Sequence, residues 1–492
     1  MGTGWAIAIQ LLCVPFYIRL MGVEAYGLVG FYLVLLATLQ VLDFGLTPTL
    51  NRELARLSAL SDQSRIMRDF ARTLEVFYWS VGALLGVTVA VLAPVLATRW
   101  VNPGSLGQDE VRNTIAVMGV LVGLQWPLSL YQGGLLGLQR QTHLNVLRAS
   151  MATLSGVGAV IVLALNSPRV TTFFAWQAAV AVLHVASIAF VFWACMPKTN
   201  LPTRPNVSLV RRVTGFAAGM TGIAFFAMVL VQMDKAVLSK LVSLQSFGYY
   251  VLAGTAANGL QLFIMPIFTA AFPRLSGLCA AGAESEVRSL YHDCSQLMTV
   301  LVVPVAAVLA LFSSEILTMW TGQVETAKQA APLLSILVVG TAVNGLMHLP
   351  YAVQLAYGWT SIGLALTITQ VVVFLPLLVW AATAHGAIGA AWVWALLNVA
   401  YLTIGLPWTH RRLLRGEAAE WIISDVAAPA IAAIAVVCAG RALAPQTMAP
   451  TVQLGYVSFL AATGMAAAVL LAPRVRNGFS RVLGHLTRTD AS

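Results

Sequence analysis

The sequence predicts an all-α integral membrane protein of about fourteen transmembrane helices, and three observations lead there. Of the 492 residues, 59% are apolar and only 9% charged, with a mean hydropathy of +0.83. A soluble domain carries about 25% charged residues to cover its wet surface. Apolar runs recur at the length that crosses a bilayer core, about 20 residues at ~1.5 Å each. Basic residues gather in alternate loops, as they do on the cytoplasmic side of membrane proteins. The 39 glycines and 20 prolines fall largely inside apolar runs, where neighbouring helices tolerate them.

Taken in order, the predicted spans are 4–20, 27–50, 73–98, 112–136, 144–165, 172–194, 213–239, 247–272, 293–313, 330–354, 361–382, 387–408, 421–440 and 452–472. The first is short and ends in Arg19, whose long side chain can reach the interface. With the N-terminus in the cytoplasm, twenty of the 28 Lys and Arg residues fall on the cytoplasmic side. Arg19, Arg99, Arg112, Arg169, Lys240, Lys328 and Arg441 fall opposite, and Lys235 lies within a span. A miscounted span inverts every loop after it, so the bias predicts an even number of spans with both termini cytoplasmic. Trp100, Trp320, Tyr351 and Trp421, near span ends, read as interfacial belts. No loop reaches the roughly 50 residues of a folded domain, which leaves the chemistry among the helices.

The net charge of +10 follows from loop orientation, since no basic, aromatic-studded domain exists to bind nucleic acid. Cys13, Cys195, Cys279, Cys294 and Cys438 are scattered without Cys-x-x-Cys or Cys/His spacing, so they read as small core residues. No Ser/His/Asp grouping, phosphate-cradling Gly-Lys motif or metal set is visible, and no enzymatic activity, metal or cofactor is expected. The opening Met1-Gly2-Thr3-Gly4-Trp5 lacks the basic start of a cleavable signal.

The chain also echoes itself at an offset of about 221 residues. Arg19-Leu20-Met21-Gly22-Val23-Glu24-Ala25-Tyr26-Gly27 lies over Lys240-Leu241-Val242-Ser243-Leu244-Gln245-Ser246-Phe247-Gly248. A cation, Leu, an acid or its amide, an aromatic and Gly recur in step, and Arg52 and Arg68 fall near Arg274 and Arg288. The seventh span then re-enacts the first in the same orientation. The expected organisation is an N-terminal six-helix bundle (1–195), a cytoplasmic linker (196–212), a second six-helix bundle (213–410), two extra helices (421–472) and a basic cytoplasmic tail (473–492). The bundles would be related by a pseudo-two-fold axis along the membrane normal, a plan that allows alternating access.

Pro15-Phe16-Tyr17-Ile18-Arg19-Leu20-Met21-Gly22, Tyr26-Gly27, Leu42-Asp43-Phe44-Gly45-Leu46 and Asn51-Arg52 resemble the opening of bacterial polysaccharide flippases. These are the lipid-carrier flippases for O-antigen and exopolysaccharide, within the multidrug/oligosaccharidyl-lipid/polysaccharide exporter superfamily. Tyr131-Gln132-Gly133, Gly137-Leu138-Gln139-Arg140 and Asn145 are similar to their fourth-to-fifth helix connection. Met233-Asp234-Lys235, Gly248-Tyr249-Tyr250, Ala253 and Phe272-Pro273-Arg274-Leu275-Ser276 are similar to their seventh and eighth helices. The resemblance runs from about 15 to about 400. Family members carry more chain before the first helix, a departure here. The resemblance implies twelve to fourteen helices in two bundles in a bacterial inner membrane. It also implies transfer of an undecaprenyl-pyrophosphate-linked glycan from the cytoplasmic to the outer leaflet, with membrane lipids, a polysaccharide polymerase and chain-length machinery as partners. Coupling to an H+ or Na+ gradient stays open. So do two other substrates, a drug or metabolite exported by cation coupling and a peptidoglycan precursor.

Such a substrate needs a wet path through about 30 Å of hydrocarbon, with cations along the pyrophosphate's route. Intramembrane ionisable groups are costly, so each is a candidate. Asp234 and Lys235 sit late in the seventh span. Adjacent helical positions point about 100° apart, so they are not expected to pair with each other. Lys235 either attracts phosphate or snorkels to the interface. Arg19 and its repeat partner Lys240 either flank a shared cavity or anchor at the interface. Asp43 is a coupling-ion candidate, as is Asp234, with pairing to Arg52 as the alternative role for Asp43. Arg52, Arg140 and Arg148 either receive pyrophosphate or only orient the chain. His184 and His348 read as hydrogen-bonded neutral side chains, with a proton relay as the alternative.

Overall fold

The structure, a computed structural model, describes residues 2–43, 45–58, 60, 63–199, 214–445 and 448–477. Arg204, Arg211, Arg212, Arg481 and Arg488, with most of the linker 196–212 and of the tail 473–492, lie outside the described residues. The described chain is helical: α1 (Gly2–Gln40), α2 (Leu46–Ser58), α3 (Ser64–Arg99), α4 (Gln108–Gly137), α5 (Gln141–Leu165), α6 (Val170–Cys195), α7 (Thr214–Leu241), α8 (Leu244–Ala257), α9 (Gln261–Ala280), α10 (Glu284–Leu311), α11 (Ser313–Thr321), α12 (Val324–Ala356), α13 (Thr360–Ala400), α14 (Leu406–Arg412), α15 (Ala428–Leu443) and α16 (Pro450–Leu470). Among the described residues, eleven helical stretches are long and apolar enough to cross a membrane, and Val23–Leu39 is a shorter apolar one.

Two expected loops are glycine kinks inside continuous helices. Gly22 (φ 84°) breaks α1 between the first two predicted spans, and Gly386 (φ 61°) breaks α13 between the eleventh and twelfth. A side chain at positive φ strains against the backbone, so glycine is the residue that turns the chain there. The predicted span 27–50 is corrected. The α1 helix stops at Gln40, a 3-10 turn covers Val41–Asp43, and α2 begins at Leu46. Asp43 stops the long run, because its carboxylate accepts the backbone N–H (3.1 Å) and hydroxyl (2.7 Å) of Thr47 in the first turn of α2. The α2 helix is amphipathic, with Leu46, Leu50, Leu54 and Leu57 buried on one face and Arg52 and Arg56 exposed.

The chain divides into two compact units, Met1–Val251 and Leu252–Ser492. In the first, the buried face of α2 meets Phe70, Leu74 and Tyr78 of α3, Trp126, Leu130 and Tyr131 of α4, and Ile188 and Phe192 of α6. The α3 and α4 backbones approach through Gly82, Gly86, Gly119 and Gly123. A Cβ on Gly82 would lie 2.6 Å from the Gly123 carbonyl, and one on Gly119 2.6 Å from that of Gly86. Lipid tails are as apolar as leucine, so close van der Waals packing of small residues is what associates such helices. In the second unit, α15 and α16 pack on α10 through Val300, Val303, Val308, Phe312, Ala433, Val437, Leu460 and Ala468. Outward faces remain apolar: Leu165, Phe190 and Leu443 are among the most exposed side chains, as a lipid-solvated surface permits.

Candidate functional site

A cavity of about 670 Å3 with a mixed lining lies within the first unit, walled by α1, α4, α5 and α6. Its apolar lining comes from residues such as Ile9, Val29, Leu121 and Phe173. Its polar groups are Gln10, Tyr17 and Tyr32 of α1, Gln125 and Gln132 of α4, Arg148 and Ser155 of α5, and Gln177 and His184 of α6. On α4, α5 and α6 these groups lie seven residues apart (Gln125 and Gln132, Arg148 and Ser155, Gln177 and His184), as do Gln10 and Tyr17 on α1, so each pair shares a helix face. Most are tied to one another or to backbone. Tyr17 donates to the Gly156 carbonyl (3.0 Å), Ser155 donates to the Gln177 amide oxygen (2.6 Å), and Arg148 donates from Nη2 to the Gln132 amide oxygen (2.5 Å).

Among the described residues, Arg148 is the only charged side chain lining this cavity, and its hydrogen bond is to the neutral Gln132 and not to a carboxylate. The His184 Nε2 is buried with no hydrogen-bond partner among the described residues. This corrects the expectation that His184 is satisfied within its bundle. The residue lines the cavity, but its Nε2 is itself shielded from it. His348 does follow expectation, with Nδ1 2.9 Å from the Asn344 carbonyl. A half-buried guanidinium with no counter-charge among the described residues, flanked by amides and hydroxyls, suits an anionic, hydrogen-bonding ligand.

A smaller cavity of about 220 Å3 adjoins the first, and Leu36 and Gln125 line both. It holds Asp43, Thr47, Trp126 and Ser129. The Asp43 carboxylate accepts from Thr47, as described, and from the Tyr78 hydroxyl. The geometry thus brings Arg148 and Asp43 into adjoining cavities. Asp234 and Lys235 meet each other instead. Asp234 is buried and accepts from Tyr250 (2.6 Å), while the Lys235 ammonium lies 3.5 Å from its carboxylate. The 100° separation of their positions is overcome because the flexible lysine stem curls back to the neighbouring residue. Lys240 is exposed, its ammonium 5.1 Å from the Trp100 ring. Arg19, Arg52 and Arg140 are exposed.

Among the described residues, four buried carboxylates, Glu24, Asp69, Glu75 and Asp425, are not among the candidates that the sequence offers. Glu75 accepts from Tyr131 (2.6 Å), Trp193 Nε1 (2.9 Å) and Arg72. It lies inside the predicted span 73–98, where any acid is a candidate, so the signal was present. Glu24 accepts the backbone N–H groups of Gly104 (2.6 Å) and Ser105 (2.9 Å) and the Ser105 hydroxyl. No pattern in the sequence announces that contact across 80 residues.

The family model described as polysaccharide biosynthesis protein matches residues 1–279. A Shigella flexneri protein assigned as an O-antigen transporter is 22% identical over 423 residues, covering 83% of this chain and 96% of its own. The inward closed structure of the lipid II flippase MurJ superposes with a TM-score of 0.70 at 12% identity, over 98% of each chain. An inward-facing multidrug resistance transporter of the MATE family, within the MOP superfamily, gives 0.66 at 13% identity, over 87% of this chain and 96% of that one. The fold is therefore that of the MurJ and MATE transporters.

Proposed function

Because the chain belongs to the polysaccharide biosynthesis protein family, a family of membrane transporters and not of enzymes, we propose that it flips an isoprenoid-pyrophosphate-linked oligosaccharide from the cytoplasmic to the outer leaflet by alternating access. The product would feed O-antigen or exopolysaccharide assembly, with a polymerase and chain-length machinery acting next. The observation that carries this reading is Arg148, the only charged side chain among the described residues that line a cavity inside a membrane-spanning unit. A pyrophosphate is the part of the substrate that needs a cation. The glycan needs the amides and hydroxyls, and the tail can stay in lipid. The O-antigen assignment of the Shigella relative supports the same substrate class.

The finer architecture belongs to the same proposal: fourteen spans, bundles at 1–195 and 213–410 joined by a cytoplasmic linker, both termini cytoplasmic, in a bacterial inner membrane. The kinks at Gly22 and Gly386 support that count, since each can divide one long helix into two spans. A second reading, a cation-coupled exporter of drugs or metabolites, is favoured by Asp43 in the adjoining cavity.

Gene deletion followed by leaflet-resolved lipid analysis tests the reading. Lipid-linked oligosaccharide should accumulate on the cytoplasmic leaflet while surface glycan is lost. Arg148→Gln should reproduce that loss with the protein inserted at normal abundance. A charge-assisted hydrogen bond contributes about 1.5–3 kcal/mol, so pyrophosphate affinity should fall on the order of 10- to 100-fold. Normal surface glycan in the deletion strain would direct attention to export assays with small cations.

A further inference from the structure

The second unit holds a buried polar cluster that the transport reading does not use. The His292 side chain of α10 is 1% exposed, and Asp425, in the π-helical turn Trp421–Ala427, is fully buried. His292 Nδ1 meets Asp425 Oδ2, and His292 Nε2 lies 3.1 Å from Glu417 Oε2. The remaining oxygens are occupied: Gln296 Nε2 donates to Asp425 Oδ1 (2.9 Å), and Arg288 donates to Glu417 Oε1 (2.8 Å).

Counting donors decides the protonation of this bridge. An ionised carboxylate only accepts, and a neutral imidazole has a single N–H. With both ring nitrogens facing carboxylate oxygens, a neutral imidazole would set a lone pair against a lone pair at one end. The bridge therefore holds one proton more than a neutral histidine and two carboxylates carry. With that proton and Arg288, the four side chains sum to zero charge. Without it, two carboxylates around a buried imidazole share a single guanidinium, an arrangement that burial disfavours.

The groups around the bridge do not supply the proton from another source. His410 donates from Nδ1 to the Leu406 carbonyl (3.1 Å) and accepts at Nε2 from Tyr291 (3.2 Å), so it is satisfied as a neutral tautomer. Glu420 and Asp293 are both engaged by Arg474 (2.9 and 3.3 Å), Glu284 lies 3.9 Å from Arg288, and Trp421 donates to Ser295 (3.1 Å). Glu417 keeps 16% of its side-chain surface exposed, which opens a route for exchange with water. The π-helical turn that aims Asp425 inward is an irregularity frequent at functional sites.

We propose that His292, bridged between Asp425 and Glu417, is a proton-binding site whose occupancy clamps the last two membrane helices onto α10. The cluster is placed to do so. Asp425 leads into α15, and the backbone N–H of Arg474, just after α16, donates to the Gln296 side-chain oxygen (3.0 Å). The inference rests on donor counting and is independent of what the protein transports.

Thermal melting of the purified full chain in detergent, measured between about pH 6 and pH 9, tests it. Wild type should lose several degrees of melting temperature as pH rises and the bridge proton leaves. Glu417→Gln should be flat over the same range, because its amide N–H can donate to His292 Nε2 and the bridge forms without an extra proton. Asp425→Asn is a second variant with the same expectation, should Glu417→Gln not accumulate. His410→Gln should keep the wild-type slope. Parallel curves for wild type and the bridge variants would overturn the proposal.

Discussion

At the residue scale, the cavity is defined by what surrounds each polar side chain. Arg148 differs from Arg52 and Arg140 only in where it points: it reaches Gln132 in the cavity, and the other two are exposed. Arg148→Lys keeps the charge but loses the planar fork that matches phosphate. It should therefore retain part of the surface glycan that Arg148→Gln loses, measured by glycan blotting at matched protein abundance. Glu75 has a structural task, since Tyr131 and Trp193 both depend on it as acceptor. Glu75→Leu frees exposed Arg72 to water but leaves the Tyr131 and Trp193 donors unpaired at about 1–3 kcal/mol each, and Glu75→Gln, which retains an acceptor oxygen, should cost less. Melting in detergent measures the difference. Asp234→Asn or Lys235→Ala should lower surface glycan without lowering insertion, and wild-type glycan in both would remove that pair from the transport path.

At the scale of elements, glycine positions decide how long apolar runs are divided and packed. Gly22→Ala places a Cβ at φ 84°, ψ 163°, a region that is essentially glycine's alone, which should cost about 1–3 kcal/mol and reduce the folded fraction recovered from membranes. On the α3–α4 contact the cost is steric. Gly119→Val drives a branched side chain toward the Gly86 carbonyl, and overpacking of this kind costs about 1–3 kcal/mol. The expected readout is a lower melting temperature together with weaker cysteine cross-linking between the two helices. A wild-type melting curve for Gly119→Val would mean that the helices separate without penalty. The α2 helix shows the limit of hydropathy reading. Its leucines extend an apolar run, but their spacing confines them to one face, and Asp43 starts a new helix there.

At the scale of the whole molecule, the family and fold make this chain a polysaccharide-biosynthesis transporter of the MurJ/MATE architecture. Its proposed substrate should be visible as a change of leaflet. Reconstituted into vesicles with a fluorescent isoprenoid-pyrophosphate glycan, the wild type should expose the label to an impermeant quencher faster than Arg148→Gln does. Equal rates in protein-free vesicles and wild type would sink the flippase reading.

Composition, run length and charge bias were enough to establish a helical membrane protein, because a bilayer imposes length and hydropathy on any chain that crosses it. Family membership was legible in ordered short motifs, from Pro15 to Ser276. An acid in an apolar run, such as Glu75, carries a signal in the sequence, but its role as acceptor for Tyr131 and Trp193 does not. The grouping of Gln10, Gln125, Arg148, Gln177 and His184 around one cavity, the seat of Glu24 against Gly104 and Ser105, and the bridge from His292 to Asp425 and Glu417 were decided by tertiary structure alone. Each joins residues far apart in the chain. Helical periodicity specifies which side chains share a face, but which helix that face meets is decided only when the bundle packs.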